Sequence, residues 1–254
     1  MNVVQRSFLC GLLAASLAGH AVPAGEPATR AVASTEEPTR IRLRNALAEY
    51  EFDRTRGYDL TVCRSGPGAS QIGFTSACFV YCEAGTWKQE CKAPPASGPG
   101  PDDFTDFRHE ILDDAGGKTL RVSAHNDRLR LTKTFTLAPD TAALRIAYRI
   151  EATAPHQIEW GYTSLFRLAR QPERWLLPEN RVENGRVARR LALGPAGRPR
   201  TVGNQEFYPT TPDAVGVCYP TDGTGVLFIN APECPLTFRS GERTGQSPFV
   251  GLLS

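Results

Sequence analysis

The sequence predicts an all-β fold, an antiparallel β-sandwich. Its 254 residues include 20 prolines and 23 glycines, which disfavour long helices. Short alternating runs of β-branched and aromatic residues recur about every ten residues, which is typical of a sandwich. The hydrophobic content of 41% is enough for a buried core. The 29 Lys and Arg residues nearly balance the 27 Asp and Glu residues, so we expect no nucleic-acid partner.

Residues 1–24 have the composition of a signal peptide. One positive charge lies in Met1–Arg6, and an apolar run follows at Ser7–Ala18. Small residues at Gly19, Ala21 and Ala24 fit a cleavage site. The apolar run is shorter than the roughly 20 residues of a membrane-spanning helix, and no later segment approaches that length. The sequence therefore predicts a secreted or periplasmic protein without a transmembrane segment.

A disordered lead is predicted for residues 25–40, because this stretch is rich in Ala, Pro, Thr and Glu and has no apolar period. A single β-sandwich domain is predicted for residues 41–254. It opens with strands in Ile41–Asp53 and Tyr58–Cys63, joined by a turn at Gly57. The prolines and glycines of residues 92–103 predict a loop.

Three consecutive antiparallel strands are predicted at Leu120–Ser123, Leu129–Leu137 and Leu144–Glu151, where apolar and polar residues alternate. A more continuously apolar fourth strand is predicted at Ile158–Phe166. A final hairpin is predicted from Ala214–Tyr219 and Val226–Asn230, which flank a Thr-Asp-Gly-Thr-Gly turn. The intervening Arg181–Arg200 segment, rich in arginine, is interpreted as a solvated loop. Its alternative role is a clamp for acidic sugars.

The cysteines indicate an oxidising compartment. Cleavage of the leader would remove Cys10 and leave an even number, which predicts three disulfides. The spacing favours pairing Cys218 with Cys234, although six cysteines allow 15 arrangements. An alternative zinc site at Cys78, Cys82 and Cys91 has no matching second pair, so neither a metal nor another cofactor is expected. The six cysteines predicted to form disulfides are Cys63, Cys78, Cys82, Cys91, Cys218 and Cys234.

Two phrases resemble the galactose mutarotase-like (aldose 1-epimerase-like) supersandwich superfamily. The first is LRLTKTFTLAPD at residues 129–140, followed by LRIAYRIEAT and a strand that contains a tryptophan. The second is the opening IRLRNALAEYEFDRTRGYDL at residues 41–60. The resemblance implies a supersandwich fold and carbohydrate as the partner. It leaves open whether the chain is a C-terminally truncated form of a longer enzyme.

Epimerase catalysis is not expected from this resemblance. The reaction needs a general acid and a general base. The position of the family's histidine falls on Thr163, and the strand that would deliver the carboxylate has Leu252 and Leu253 instead. The resemblance therefore implies sugar binding without mutarotation.

A sugar-binding face is predicted around the fourth strand, because aromatic rings stack on sugars and polar side chains bind hydroxyl groups. Trp175 is expected to be the more exposed aromatic anchor, since it lies in a looser, proline-flanked segment. The predicted substrate-binding residues are Trp160, Tyr162, Trp175, Arg167, Glu159 and Glu206.

Two catalytic alternatives and one non-catalytic alternative stay open. A carboxylate pair for glycoside hydrolysis could come from the acidic residues Asp102, Asp103, Glu110, Asp113 and Asp114. A lyase would need a base with an arginine neutraliser, for which Arg108 and His109 could act with Tyr162. The third alternative is an envelope domain that contacts another protein through an open sheet edge or an apolar patch.

Overall fold

The computed structural model describes residues 6–16, 31–65, 70–90, 104–114, 117–153, 158, 160–183, 186–193, 200–202, 205–208, 213–231, 234, 236–243 and 247–253. Within these ranges the chain folds almost entirely into antiparallel strands, so the predicted all-β antiparallel sandwich is confirmed. The loop predicted for residues 92–103 lies outside the described residues. Strands are numbered below in chain order.

The first sheet has nine strands. In spatial order they are β14 (Arg186–Leu193), β13 (Arg174–Glu183), β17 (Ala214–Tyr219), β18 (Thr224–Asn230), β1 (Arg6–Ser16), β11 (Ala143–Ala152), β10 (Leu129–Leu137), β9 (Gly117–His125) and β8 (Thr105–Asp114).

The second sheet has eleven strands. In spatial order they are β15 (Arg200–Val202), β16 (Gln205–Phe207), β19 (Thr237–Arg243), β20 (Phe249–Leu253), β12 (Trp160–Leu168), β6 (Ile72–Glu83), β5 (Asp59–Arg64), β4 (Glu49–Asp53), β3 (Arg40–Arg44) and β2 (Ala33–Glu36), with β7 (Thr86–Gln89) paired to β6.

The three strands predicted in the middle of the sequence are confirmed as neighbours. β10 pairs with β9 on one side and β11 on the other, so that Lys133 lies between Val122 and Tyr148. The alternation on β10 turns every second side chain towards the core. The predicted fourth strand is also confirmed as β12, but it lies in the second sheet.

Both predicted hairpins are present. β17 and β18 are joined by a 3₁₀ turn at Pro220–Asp222 that ends on Gly223, at φ 63°. The first hairpin turns through Arg54–Arg56 to Gly57, at φ 65°. The Ile41–Asp53 segment is two strands rather than one, because Asn45 makes a turn in which its side-chain oxygen accepts from the amides of the two residues before β4, Leu47 and Ala48.

Two segments differ from their sequence interpretation. The arginine-rich stretch predicted as a loop contributes to the paired strands β13 and β14. In the lead, Ala33–Glu36 pairs with β3, and Val32 beside it is buried in the core. In the intact chain, the leader-like residues 6–16 pair as β1 with β11 and β18. Cleavage of residues 1–24 stays a prediction.

The main core lies between the two sheets. The rings of Phe52 and Phe135 pack across it with centroids 4.7 Å apart, and those of Phe166 and Phe228 pack at 4.9 Å. Each pair joins one strand of the second sheet to one of the first. Among the described residues, no helix has the length and apolar character to cross a membrane.

Candidate binding site

A second apolar cluster lies on the outer face of the eleven-stranded sheet, away from the main core. On β12, Phe166 and Leu168 point into the main core, whereas Leu165 points outwards. The other buried members of this outer cluster come from β6, β12 and β20. They are Cys78, Val80, Tyr162 and Phe249, with Trp87, Phe107 and Leu253 packed at its margin.

Tyr162 is the centre of the outer cluster. Its ring stacks on Trp87 with centroids 6.4 Å apart and planes at 16°, and it meets Phe249 edge-on at 6.2 Å. The ring lies directly over Gly251, where an added Cβ would be 2.5 Å from Cδ1 of the tyrosine. Glycine is therefore required at this position for the ring to lie flat against the sheet.

Two arginines act on the Tyr162 hydroxyl. Arg239 donates a hydrogen bond to it, and the charge of Arg167 also acts on it. Burial raises the pKa of Tyr162 above 10, against the opposing effect of both arginines. The phenol therefore stays protonated at neutral pH. Arg167 also donates to Ser76 Oγ at 3.3 Å.

The structure brings together Tyr162 and Arg167 of the six predicted binding residues. Trp160 lies two residues earlier on β12, opposite Cys82, and its side chain is outside the described set. Glu159 is likewise outside the described residues. Glu206 lies on β16, opposite Glu242 of β19.

Trp175 lies in the main core, so the expectation that it is exposed is wrong. It is 5% exposed, because β13 pairs it with the core residue Val217 of β17. Its Nε1 donates to Glu242 Oε1 at 2.8 Å, and its ring lies 4.9 Å from that of Tyr208. These contacts are on the opposite face of the second sheet from Tyr162.

Sequence reasoning missed three members of the site: Trp87, Phe249 and Arg239. These residues are brought to the site by pairing between strands, which the sequence reasoning did not predict. β20 lies beside β12, with Leu253 opposite Tyr162, and β19 places Arg239 opposite Gly251. The terminal strand singled out by the family resemblance is thus a neighbour of β12, and it contributes a phenylalanine and a glycine to the site.

The catalytic alternatives are not assembled as the sequence suggested. His109 bonds to Tyr58 rather than Tyr162, with 2.8 Å between Nδ1 and the hydroxyl oxygen, and its Nε2 lies 2.9 Å from Glu36 Oε2. This contact joins the edges of the two sheets, since β8 and β2 are edge strands.

The acidic stretch consists largely of exposed side chains. Glu110 forms a surface ion pair with Arg121, and Asp113 forms one with Lys118. Asp102 and Asp103 lie outside the described residues. A carboxylate outside this stretch, Glu83 at the end of β6, is half-buried and accepts a hydrogen bond from Arg128.

No disulfide joins any two of the described cysteines. Cys63, Cys78, Cys218 and Cys234 are free thiols, so the predicted pairing of Cys218 with Cys234 is wrong. Cys218 is held within β17 between Arg174 and Gly225, whereas Cys234 follows β18 in a turn closed on Ala231. Cys91 lies outside the described residues.

Among the described residues, no three His, Cys, Asp or Glu side chains are grouped so that they could hold a metal ion. The chain matches no protein-family model, and no curated protein sequence matches it.

Proposed function

We propose that the protein binds carbohydrate on the outer face of its eleven-stranded sheet, at Tyr162, Trp87, Arg167 and Arg239. The observation that carries the proposal is the half-buried Trp87 stacked on Tyr162, together with Arg239, which hydrogen-bonds the tyrosine hydroxyl, and Arg167, whose charge acts on it. Aromatic faces stack on the apolar faces of sugar rings, while convergent polar groups fix their orientation.

The two arginines favour a sugar that carries a carboxylate or sulfate group. Arg167 and Arg239 are half-buried, as is Trp87, so their outer parts form the rim of the cluster. A guanidinium binds such oxyanions through paired, charge-assisted hydrogen bonds. The leader-like residues 1–24 support a secreted or periplasmic location, where acidic polysaccharides are available as ligands.

In this proposal the protein binds its sugar without catalysing epimerisation. The resemblance to mutarotase-like proteins supports carbohydrate as the ligand class. The strand it assigns to the general base brings Leu253 next to Tyr162, and Tyr162 itself is held protonated. The proposed site therefore has hydrogen-bonding and stacking groups suited to recognition.

The experiment is a glycan array probed with the purified protein, carrying neutral, uronate-containing and sulfated glycans. Uronate or sulfated glycans should bind, and the best of them is then titrated against variants. Arg239→Gln should weaken binding about 10- to 150-fold, the effect of losing a hydrogen bond to a charged group, about 1.5 to 3 kcal/mol. Tyr162→Phe should weaken it less, since a neutral hydrogen bond contributes about 0.5 to 1.5 kcal/mol.

Two controls make the titration specific. Arg121→Gln removes a surface arginine of the first sheet that pairs with Glu110, and it should leave affinity unchanged. Trp175→Ala should lower the melting temperature, because Trp175 is a core residue, while the folded fraction keeps its affinity. Equal losses in Arg239→Gln and Arg121→Gln, or no binding to any acidic glycan, would contradict the proposal.

A further inference from the structure

A lysine and a glutamate meet in the interior of the sandwich, entirely out of water. Lys133 comes from β10 of the first sheet, and Glu90 follows β7 of the second sheet. Both side chains are 0% exposed, and Lys133 Nζ lies 2.5 Å from Glu90 Oε1. The same Nζ donates to the carbonyl oxygen of Gly57 at 2.7 Å. The two reactive groups are therefore held together by both sheets.

The surroundings of this pair are poor in solvent and rich in charge. The ring of Phe135 lies 5.9 Å from Nζ. Within the described part of the chain, Glu90 Oε2 has no hydrogen-bond partner. Burial raises the pKa of Glu90, Lys133 opposes that rise, and the charge of Asp59 adds to it. Burying an ammonium and a carboxylate together is costly, because both groups lose their hydration.

A second carboxylate completes the cluster. Asp59 is 0% exposed, and Arg56 Nη2 lies 3.3 Å from its Oδ2. Its charge acts on Glu90 and also on Tyr148, which lies opposite Lys133 on β11. The interior thus holds an amine, a carboxyl group in contact with it, and a further carboxylate whose charge acts on that carboxyl group.

We propose that Lys133 and Glu90 condense into an intramolecular amide bond that joins the two sheets. A proton passes from the ammonium group to the Glu90 carboxylate, and the lone pair of Nζ then attacks Cδ. Asp59 takes a proton from the nitrogen and delivers it to the departing hydroxyl, which leaves as water. One C–N bond forms, one C–O bond breaks, and no oxidant or reductant is needed.

The geometry suits this reaction. Because a carboxyl C–O bond is about 1.2 Å long, Nζ and Cδ are separated by no more than about 3.7 Å. That is close to the roughly 3 to 3.5 Å of a near-attack arrangement. Holding two reactants in place lowers the barrier, because the entropy of bringing them together has already been lost. The product is a neutral amide, so the buried charges of both partners are removed.

The test is tryptic peptide mapping of the full chain after reduction and alkylation. A bond at Lys133 blocks cleavage after it, so the expected product is a branched peptide. It joins residues 131–145 to residues 89–92 and is lighter by one water than the two together. Fragmentation should locate the branch at Lys133 and Glu90. Separate, unmodified peptides 131–133 and 89–92 in the whole population would overturn the proposal, as would a branch to residues 57–64 that carry Asp59.

The same digest contains an internal control. Lys118 Nζ also contacts a carboxylate, that of Asp113, but this pair is at the surface, with the Asp113 side chain 83% exposed. It should yield no branched peptide, and a branch there of equal yield would show that contact alone explains the product. Lys133→Arg should abolish the 89–92 branch. Asp59→Asn should leave most of the chain unlinked, and an unchanged yield would overturn the role of Asp59 as proton carrier.

Discussion

At the scale of single residues, burial governs the chemistry of the ionisable groups. Cys63 is 0% exposed, in the core between β4 and β6. Burial raises the pKa of its thiol to about 12, from an ordinary value near 9, and the charge of Arg64 opposes that rise only in part. The thiolate is therefore strongly disfavoured in the folded protein. A free thiol of this kind is a packing residue in the folded chain, and it becomes reactive on unfolding.

The raised pKa of Cys63 predicts a loss of stability at alkaline pH. The unfolded chain releases the thiol proton near pH 9 and the folded chain only near pH 12. The stabilisation is fully present below pH 9 and is lost between pH 9 and 12. At pH 10 the loss from this group should be about 1.4 kcal/mol, the value of one pKa unit.

Denaturant titrations at pH 8, 9 and 10 under reducing conditions measure this effect. Cys63→Ala should lower the free energy of unfolding at every pH, because it leaves a small cavity, but its decline between pH 9 and 10 should be shallower. Tyr219, whose pKa burial raises to about 12, titrates in both proteins and does not affect the comparison. Parallel declines in the two proteins would contradict the assignment.

At the scale of elements, β12 shows why the alternation of apolar and polar residues predicted the strand but not which of its residues face outwards. A strict period of two would put Tyr162 on the same side as Phe166, which is in the main core. The pairing register shifts between Tyr162 and Ser164 against β20, and between Tyr162 and Leu165 against β6. Such a bulge lets Tyr162 and Leu165 share the outer face. The bulge depends on both neighbouring strands, so local sequence does not reveal it.

The alternation was sufficient where strands are regular and their neighbours follow in sequence. The meander β9–β10–β11 and the β17–β18 hairpin were predicted because each pairs with the next strand along the chain. On β10 the same alternation already puts Lys133 in line with Leu131 and Phe135. Trp175 was misplaced because its environment comes from distant segments, β17 and Glu242. The sequence neighbourhood of Trp175 contains neither.

A glycine in β12 tests how closely this strand packs on β6. A Cβ added at Gly161 would lie 2.7 Å from the Val80 carbonyl oxygen and 3.1 Å from Tyr81 Cα. Both are backbone atoms, which cannot move aside cheaply. Gly161→Ala should therefore lower the free energy of unfolding by about 2 to 3 kcal/mol, within the range for overpacked cores.

Gly73→Ala on β6 is the matched control for this prediction. There the nearest atom to an added Cβ is the Ala169 Cβ at 3.2 Å, and the next is 3.9 Å away. Its effect should stay within about 1 kcal/mol, since restricting the unfolded chain offsets a small steric cost. Both values are measured by urea unfolding. A loss in Gly73→Ala as large as that in Gly161→Ala would show that strand glycines are costly to replace for another reason.

At the scale of the whole molecule, the position of the first strand conflicts with the predicted cleavage of the leader. β1 is the fifth strand of the nine-stranded sheet, pairing with β11 on one side and β18 on the other. The same residues have the composition of a leader that is cleaved during export. In a chain without these residues, the edges of β11 and β18 that pair with β1 would face each other across a gap one strand wide. The backbone N–H and C=O groups along both edges would be unpaired. Unpaired strand edges are templates for pairing with another extended segment.

The prediction compares the full chain with a chain that begins at residue 25, by native-state hydrogen exchange. In the shorter chain, amides of β11 and β18 should exchange at least about tenfold faster, whereas those of β9 and β10 should keep their protection. A synthetic peptide of residues 6–16 should restore the slow exchange, because an added strand supplies the missing backbone hydrogen bonds. Equal protection in the two chains would show that β11 and β18 pair directly once the leader is gone. Faster exchange that the peptide does not reverse would show that β11 and β18 no longer lie one strand apart, so that the peptide cannot pair between them.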